Sequence, residues 1–265
     1  MIETVQSAWV AALAALDGVP ALLAAYSIAV VFLGYVVLGV SGFGSALTIV
    51  PLLALQWPLV TVVPLVLLLD VQSSLLLTRL NFGRVQWPEL RPLLPGMALG
   101  AAAGVALAPA TAQPWVLALL GLYVLAVGAQ GLLHVASPPP SGSTSRAWAP
   151  LFGVAAGAVE SIFGTSGPVV VTWLARRLRE PEAMRANVPA ALAAVTCCAM
   201  LGMGVTGQLF QPVLWAALLP LTAIAFAGTR VGHALSGRMA RHTVARVIFG
   251  LLACSGTAMV LRAAL

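Results

Sequence analysis

Gly42-Phe43-Gly44-Ser45-Ala46-Leu47-Thr48-Ile49-Val50-Pro51 interrupts a long apolar run, and Gly164-Thr165-Ser166-Gly167-Pro168-Val169-Val170-Val171 interrupts another about 122 positions later. Hydrocarbon tolerates non-helical backbone only where protein or a water-filled cavity satisfies its N–H and C=O groups. Two such breaks at matching places in two halves predict a transporter whose breaks line the substrate path.

Composition sets the class. Of 265 residues, 61% are hydrophobic and 8% charged, too little polar surface to close a water-soluble globule. Windows such as 21–40 and 114–133 reach the roughly 20 apolar residues that cross a core about 30 Å thick. The reading is an all-α polytopic membrane protein, one transport domain over residues 1–265. The net charge of +6 comes from thirteen basic residues, all arginine, spread over loops rather than gathered in one patch, which points to topology and away from nucleic acid. Met1-Ile2-Glu3 carries an acid and no basic n-region, so no cleaved signal peptide is expected. Cys197, Cys198 and Cys254 lie inside apolar segments with no disulfide or metal spacing, and neither a metal nor a cofactor is expected.

Apolarity and Pro, Gly and charge punctuation predict segments at 20–39, 44–56, 59–78, 90–108 and 114–133, then 148–163, 166–176, 185–206, 212–229 and 242–262. Residues 20–133 form a first repeat and 148–262 a second, joined by a linker over 134–147 that contains the polar run Ser137 to Ser145. Gly83-Arg84-Val85-Gln86-Trp87-Pro88 parallels Gly207-Gln208-Leu209-Phe210-Gln211-Pro212, and Leu93-Leu94-Pro95 parallels Leu218-Leu219-Pro220. Matched Pro and Gly positions are harder to obtain by chance than matched apolar ones.

Arginines set the orientation. Arg79, Arg84 and Arg91 mark one loop as cytoplasmic, Arg176, Arg177, Arg179 and Arg185 a second, and Arg230, Arg238 and Arg241 a third. The uncharged connections 56–59, 109–113 and 206–211 belong outside. Parity then places both termini in the periplasm and the linker in the cytoplasm, so the halves are inverted repeats. The second segment of each half is too short to cross, since 11 to 13 residues rise only about 17 to 20 Å. Each is read as a half-helix that starts at its break inside the membrane.

Such a half-helix directs free N–H groups and its positive dipole end at the break, from opposite sides in the two halves, which suits an anion. The substrate-binding residues expected are Ser41, Gly42, Phe43, Gly44 and Ser45 in the first break and Gly164, Thr165, Ser166 and Gly167 in the second. Pro168 fits a first helical turn, where no N–H is needed. The bland alternative, small residues for helix packing, is weakened by the duplication and by the short helix after each copy. Asp70, near the centre of its segment, and Glu160, just before Gly164, are buried acids that must be paired, protonated or functional. A carboxylate beside an anion site repels substrate unless protonated, so these two are expected coupling residues, set against a purely structural hydrogen bond to a neighbouring helix. Gln72 neighbours Asp70, whose helical face carries Ser73 and Ser74. Cys197, with Thr196 and Cys198, holds the place in the second half that Gln72 to Ser74 hold in the first, either on the pathway or simply packing helices.

The pattern Gly42 to Pro51, its copy at Gly164 to Val171 and the two-half layout resemble the sulfite exporter family TauE/SafE over about residues 20 to 262. The first copy keeps Gly42, Gly44 and Pro51 and has Ser45-Ala46 where the family commonly has two further glycines. The copy at Gly164 resembles the Gly-Thr-Gly-Gly-Pro variant with Ser166 replacing one Gly. The resemblance implies export of sulfite, an organosulfonate or thiosulfate across the bacterial inner membrane, driven by a proton or sodium gradient. Partners are thus the anion, the bilayer and the coupling ion, with a homodimer left open and no nucleic acid.

Rival readings are weighed on residues. Gly164-Thr165-Ser166-Gly167 fits the Gly-x-Ser-Gly of rhomboid intramembrane proteases, with His233 as a general base to be sought downstream. The position matching Ser166 in the first repeat is Gly44, however, so the shared element is the helix break and not a nucleophile. His233 lies among Arg230 and Arg238, at a cytoplasmic end. A permease for another small anion stays open; a metal permease is disfavoured by two acids without a His or Met cluster.

Overall fold

The computed structural model describes residues 20–107, 114–134, 145–178, 180–236 and 241–264. Among them the regular elements are all helices: α1 (Ala21–Ser41), α2 (Ser45–Leu53), α3 (Leu59–Leu80), α4 (Trp87–Leu90), α5 (Leu94–Ala106), α6 (Pro114–His134), α7 (Ala149–Phe163), α8 (Gly167–Arg177), α9 (Pro181–Val205), α10 (Pro212–Ser236) and α11 (Arg241–Ala264). The chain is an all-α membrane protein. Five helices, α1, α3, α6, α9 and α10, are long and apolar enough to cross a bilayer. Most of the linker, with Arg179, Arg238, the connection 109–113 and the terminus before residue 20, lies outside the described residues.

Both breaks fall at the expected glycines. Gly42 (φ 83°) and Gly44 (φ 94°) turn the chain out of α1 and into α2, and Gly164 (φ 65°) ends α7. These are left-handed conformations that a Cβ disfavours. The following helices are short, nine residues in α2 and eleven in α8, rising about 14 and 17 Å. Eight of the nine residues of α2 are buried, so protein rather than lipid surrounds its irregular start. Its far end is held as well, because Tyr26 donates to the Leu52 carbonyl at 2.6 Å, one of the acceptors a helix terminus leaves orphaned.

Several bounds differ from expectation: α2 ends at Leu53 rather than 56, α9 begins at Pro181 rather than 185, and α10 runs to Ser236 rather than 229. The predicted 90–108 is a helix only over Leu94–Ala106, preceded by α4 and a 3-10 turn over Arg91–Leu93. Pro88, Pro92 and Pro95 remove successive N–H donors and divide the hydrogen-bond ladder, while Leu90, Arg91, Leu93 and Leu94 keep right-handed helical angles. Helical backbone therefore runs from 87 to 106. In the same way the 3-10 turn Arg146–Trp148 extends the fifteen residues of α7 backward.

Helices pair mainly across the two halves: α1 with α10, α5 with α7, α3 with α9 and α6 with α11. Exchanging the halves converts the first pair into the second and leaves the others unchanged. Small residues allow the close approach. A Cβ on Gly96 or Gly100 would collide with the backbone of Pro150 or Val154, and one on Gly228 or Gly232 with that of Phe32 or Val36. Without a hydrophobic force between helices in lipid, such contact is what joins them.

At one end of the bundle Glu89 of α4 accepts from Arg146 (2.6 Å) and from Arg177, whose Nε and Nη2 lie at 2.7 and 3.0 Å. The loop after α3, the start of α7 and the end of α8 thus share one face. Hydrogen bonds from Arg177, reinforced by Arg146, lower the Glu89 carboxyl from 4.5 to about 2 against the opposing effect of burial.

Candidate functional site

Both breaks open on one cavity. Gly42, Gly44 and Ser45 line it from the first half and Gly164, Thr165, Ser166 and Gly167 from the second, with Asp70 and Glu160 between them. Its enclosed part is about 40 Å³ for the centre of a water-sized sphere, room for about three waters or one small anion.

Each half gathers its three elements on a carboxylate. Asp70 of α3 accepts from Tyr35 of α1 (2.6 Å, to Oδ1) and from the Ser45 hydroxyl at the start of α2 (2.9 and 3.0 Å). Glu160 of α7 accepts from the backbone N–H of Ser166, the residue that caps α8 (2.9 Å, to Oε2), and from Thr196 of α9 (2.5 Å, to Oε1). Acid and hydroxyl have exchanged helices between the halves, but the linkage of first, second and third helix is the same. These bonds tie the start of each short helix to a neighbouring helix.

Two residues of the cavity lining carry buried hydroxyls without a partner. Thr165 and Ser166 are 1% and 0% exposed, and neither Oγ1 nor Oγ has a hydrogen-bond partner among the described residues. A buried donor without a partner costs about 1 to 3 kcal/mol, so it marks a place where a ligand is to be met. The Thr165 backbone is meanwhile anchored: its carbonyl accepts from Tyr123 at 2.9 Å. Gly167 faces open space. A Cβ there would meet nothing within 4 Å, and its φ is not in the left-handed region, so neither packing nor strain calls for glycine.

The other expected residues sit around this centre. Ser41 Oγ lies 2.7 Å from the Val37 carbonyl and 2.5 Å from that of Phe43, which commits it to the turn. The Phe43 ring packs with the apolar cluster under α8 and α9. Gln72 Nε2 donates to the Leu68 carbonyl (2.9 Å) and reaches Thr222 of α10 (3.5 Å). None of these three lines the cavity, and nor does the half-buried Cys197. Ser73 and Ser74 do line it, one turn beyond Asp70.

Sequence reasoning passed over Tyr35 and Tyr123. Their signal was present, since two of the three tyrosines lie deep in apolar segments, where a phenol must find an acceptor.

Comparison with known proteins places this site in a family. Residues 27–259 match the model of the family described as sulfite exporter TauE/SafE. The chain belongs to the TauE/SafE family. It is 36% identical over 200 residues to a probable inner membrane transporter protein, TsaS, of Comamonas testosteroni, a match covering 74% of this chain and 81% of the relative. No solved structure matches. As a TauE/SafE member the chain is a membrane transporter and not an enzyme, which removes the protease alternative. The matched stretch contains both breaks and both carboxylates.

Proposed function

We propose that this chain exports sulfite or a related sulfur-containing anion, an organosulfonate or thiosulfate, across the bacterial inner membrane. The anion is held between the starts of α2 and α8. The observation that carries this reading is the pair of buried, unpartnered hydroxyls on Thr165 and Ser166, two residues that line the same cavity as Gly167. Hydroxyls and helix N-termini supply donors and partial positive charge without fixed cations, an arrangement that binds an anion and can release it.

Asp70 and Glu160 couple transport to a gradient, by proton first and sodium second. Each carboxylate now occupies a donor that an arriving anion would take: the Ser45 hydroxyl and the Ser166 N–H. An anion beside an ionised carboxylate is repelled; protonation of that carboxyl removes the repulsion and loosens its hold on the donor. Substrate and proton therefore favour each other's binding and move in the same direction, so the outward drive comes from the anion's own gradient and the inside-negative potential.

The two repeats are inverted, with both termini in the periplasm, and rock about the cavity in alternating access. The helix pairing, unchanged when the halves are exchanged, supports this, as does the gathering of Glu89, Arg146 and Arg177 at one face. Efflux of sulfite from proteoliposomes, with and without a pH gradient, tests the proposal; no efflux under either condition overturns it.

A further inference from the structure

A second cavity, with room for about one water in this conformation, lies on the far side of the breaks, lined by Val60, Val63 and Pro64 of α3, by Ser161 and Ile162 of α7, and by Met203 of α9. The first cavity is lined further along the same helices, by Asp70, Ser74 and Leu77 of α3 and by Leu192 and Thr196 of α9. Positions 60, 63, 67, 70, 74 and 77 recur every three or four residues, which is one face of α3. From 60 to 77 that face is about 26 Å long, most of the hydrocarbon thickness. One stripe thus borders both cavities, and α9, packed against α3, repeats the pattern at 192, 196 and 203. Pro64 and Pro189 stand about 125 residues apart in the corresponding helices, and they line opposite cavities. Pro64 leaves the Val60 carbonyl without its intrahelical donor, and Gln211 supplies one at 3.1 Å.

Between the cavities the stripe is dry. Leu67, Val63 and Val50 are 1%, 3% and 0% exposed and close in on Gly164, where a Cβ would stand 3.1, 3.5 and 3.6 Å from them. Past this plug, Ser161 is 3% exposed and its hydroxyl has no partner among the described residues. Anion binding at the first cavity has no use for that group.

We propose that the cavity at Ser161 is the closed outer station for the transported anion, with the Ser161 hydroxyl as a donor, and that Leu67 and Val63 against Gly164 form the gate whose opening widens it. The first cavity extends toward the ends of α3 and α9 that carry Arg79 and Arg185, so it is the cytoplasmic station and the second is the outer one. This rests on reading the first cavity as the anion site.

The test uses the full chain with Cys197, Cys198 and Cys254 replaced by Ser, carrying Ser161→Cys or Ser166→Cys, in membrane vesicles of both orientations. A membrane-impermeant methanethiosulfonate is the probe. Ser166→Cys is expected to react from the cytoplasmic side. Leu192→Cys, a reporter on the same cavity wall that donates nothing to the anion, is expected to do the same and to be slowed by sulfoacetate, an organosulfonate that does not attack the reagent as sulfite does. Ser161→Cys is expected to react about tenfold faster from the opposite side, and Leu67→Ala to open it to both. Met203→Cys serves as the outer reporter if Ser161→Cys does not accumulate. Reaction of both stations from the same side, or none at the outer station even with sulfoacetate present, overturns the proposal. Correct sidedness with no protection of Leu192→Cys by sulfoacetate or sulfate instead removes the anion reading and leaves the path.

Discussion

Glu160 accepts the backbone N–H of Ser166 at 2.9 Å, so a side-chain carboxyl already sits at the start of the half-helix whose N-terminus faces the cavity. The same residue whose N–H is taken leaves its hydroxyl unpaired. One position is therefore at once the protein's own capped terminus and an open donor for a ligand.

Gly167→Val separates binding from folding. The added side chain enters open space at an ordinary φ, so the protein should retain its melting temperature while sulfite efflux falls by about tenfold or more, about 1.4 kcal/mol of lost binding. Gly44→Val is the contrast, since φ 94° penalises a β-branched residue whatever the space, and loss of folded protein is expected there. Efflux at the wild-type rate in Gly167→Val would remove that residue from the site.

Ser166→Ala deletes a buried hydroxyl that nothing satisfies. Stability without ligand should stay level or rise by up to about 1 kcal/mol, and sulfite affinity should fall by about tenfold. Thermal melts with and without sulfite read both. A destabilised unliganded variant would mean that the hydroxyl has a partner.

Glu160→Gln and Asp70→Asn abolish the charge while keeping the shape. Each should lose the response of transport to a pH gradient and keep exchange of sulfite across the membrane. A wild-type gradient response in both variants ends the coupling role. Tyr35→Phe should weaken the protein by about 1 to 3 kcal/mol, because it strips a donor at 2.6 Å from a buried carboxylate.

Glu89 gives a pH test away from the membrane. Its carboxyl is depressed from 4.5 to about 2, so the unfolded chain takes up the proton first on acidification. The stabilisation is fully present above about pH 5, declines between about 4.5 and 2, and is absent below. Glu89→Gln should therefore melt lower than wild type at pH 7, with the difference closing as the pH approaches 2. A constant difference across that range would mean that the ion pairs with Arg146 and Arg177 are not its source.

Screening sulfite, thiosulfate, sulfoacetate and sulfate by thermal shift identifies the cargo. At a concentration about a hundredfold above Kd, a bound anion stabilises the fold by about 2.7 kcal/mol. A shift with none of the four would overturn the sulfur-anion reading.

The chain by itself determined the all-helical membrane class, the position of both breaks and the shortness of the helices after them. These follow from local rules: apolar runs must be long enough to span, glycine permits φ 83° and 94°, and a helix of nine residues cannot cross. Such rules act within one segment, so they can be read without knowing its neighbours. Tertiary structure alone decided how the residues around the breaks divide. Ser41 and Ser45 differ little in composition or setting, yet Ser41 turns back on its own backbone and Ser45 reaches Asp70, some 25 residues further along. Thr196 meets Glu160 and Tyr35 meets Asp70 because α9 and α3 pass the breaks at a particular height and rotation. Hydroxyls and carboxylates act over about 3 Å, and only the packing of distant helices sets which pairs come that close.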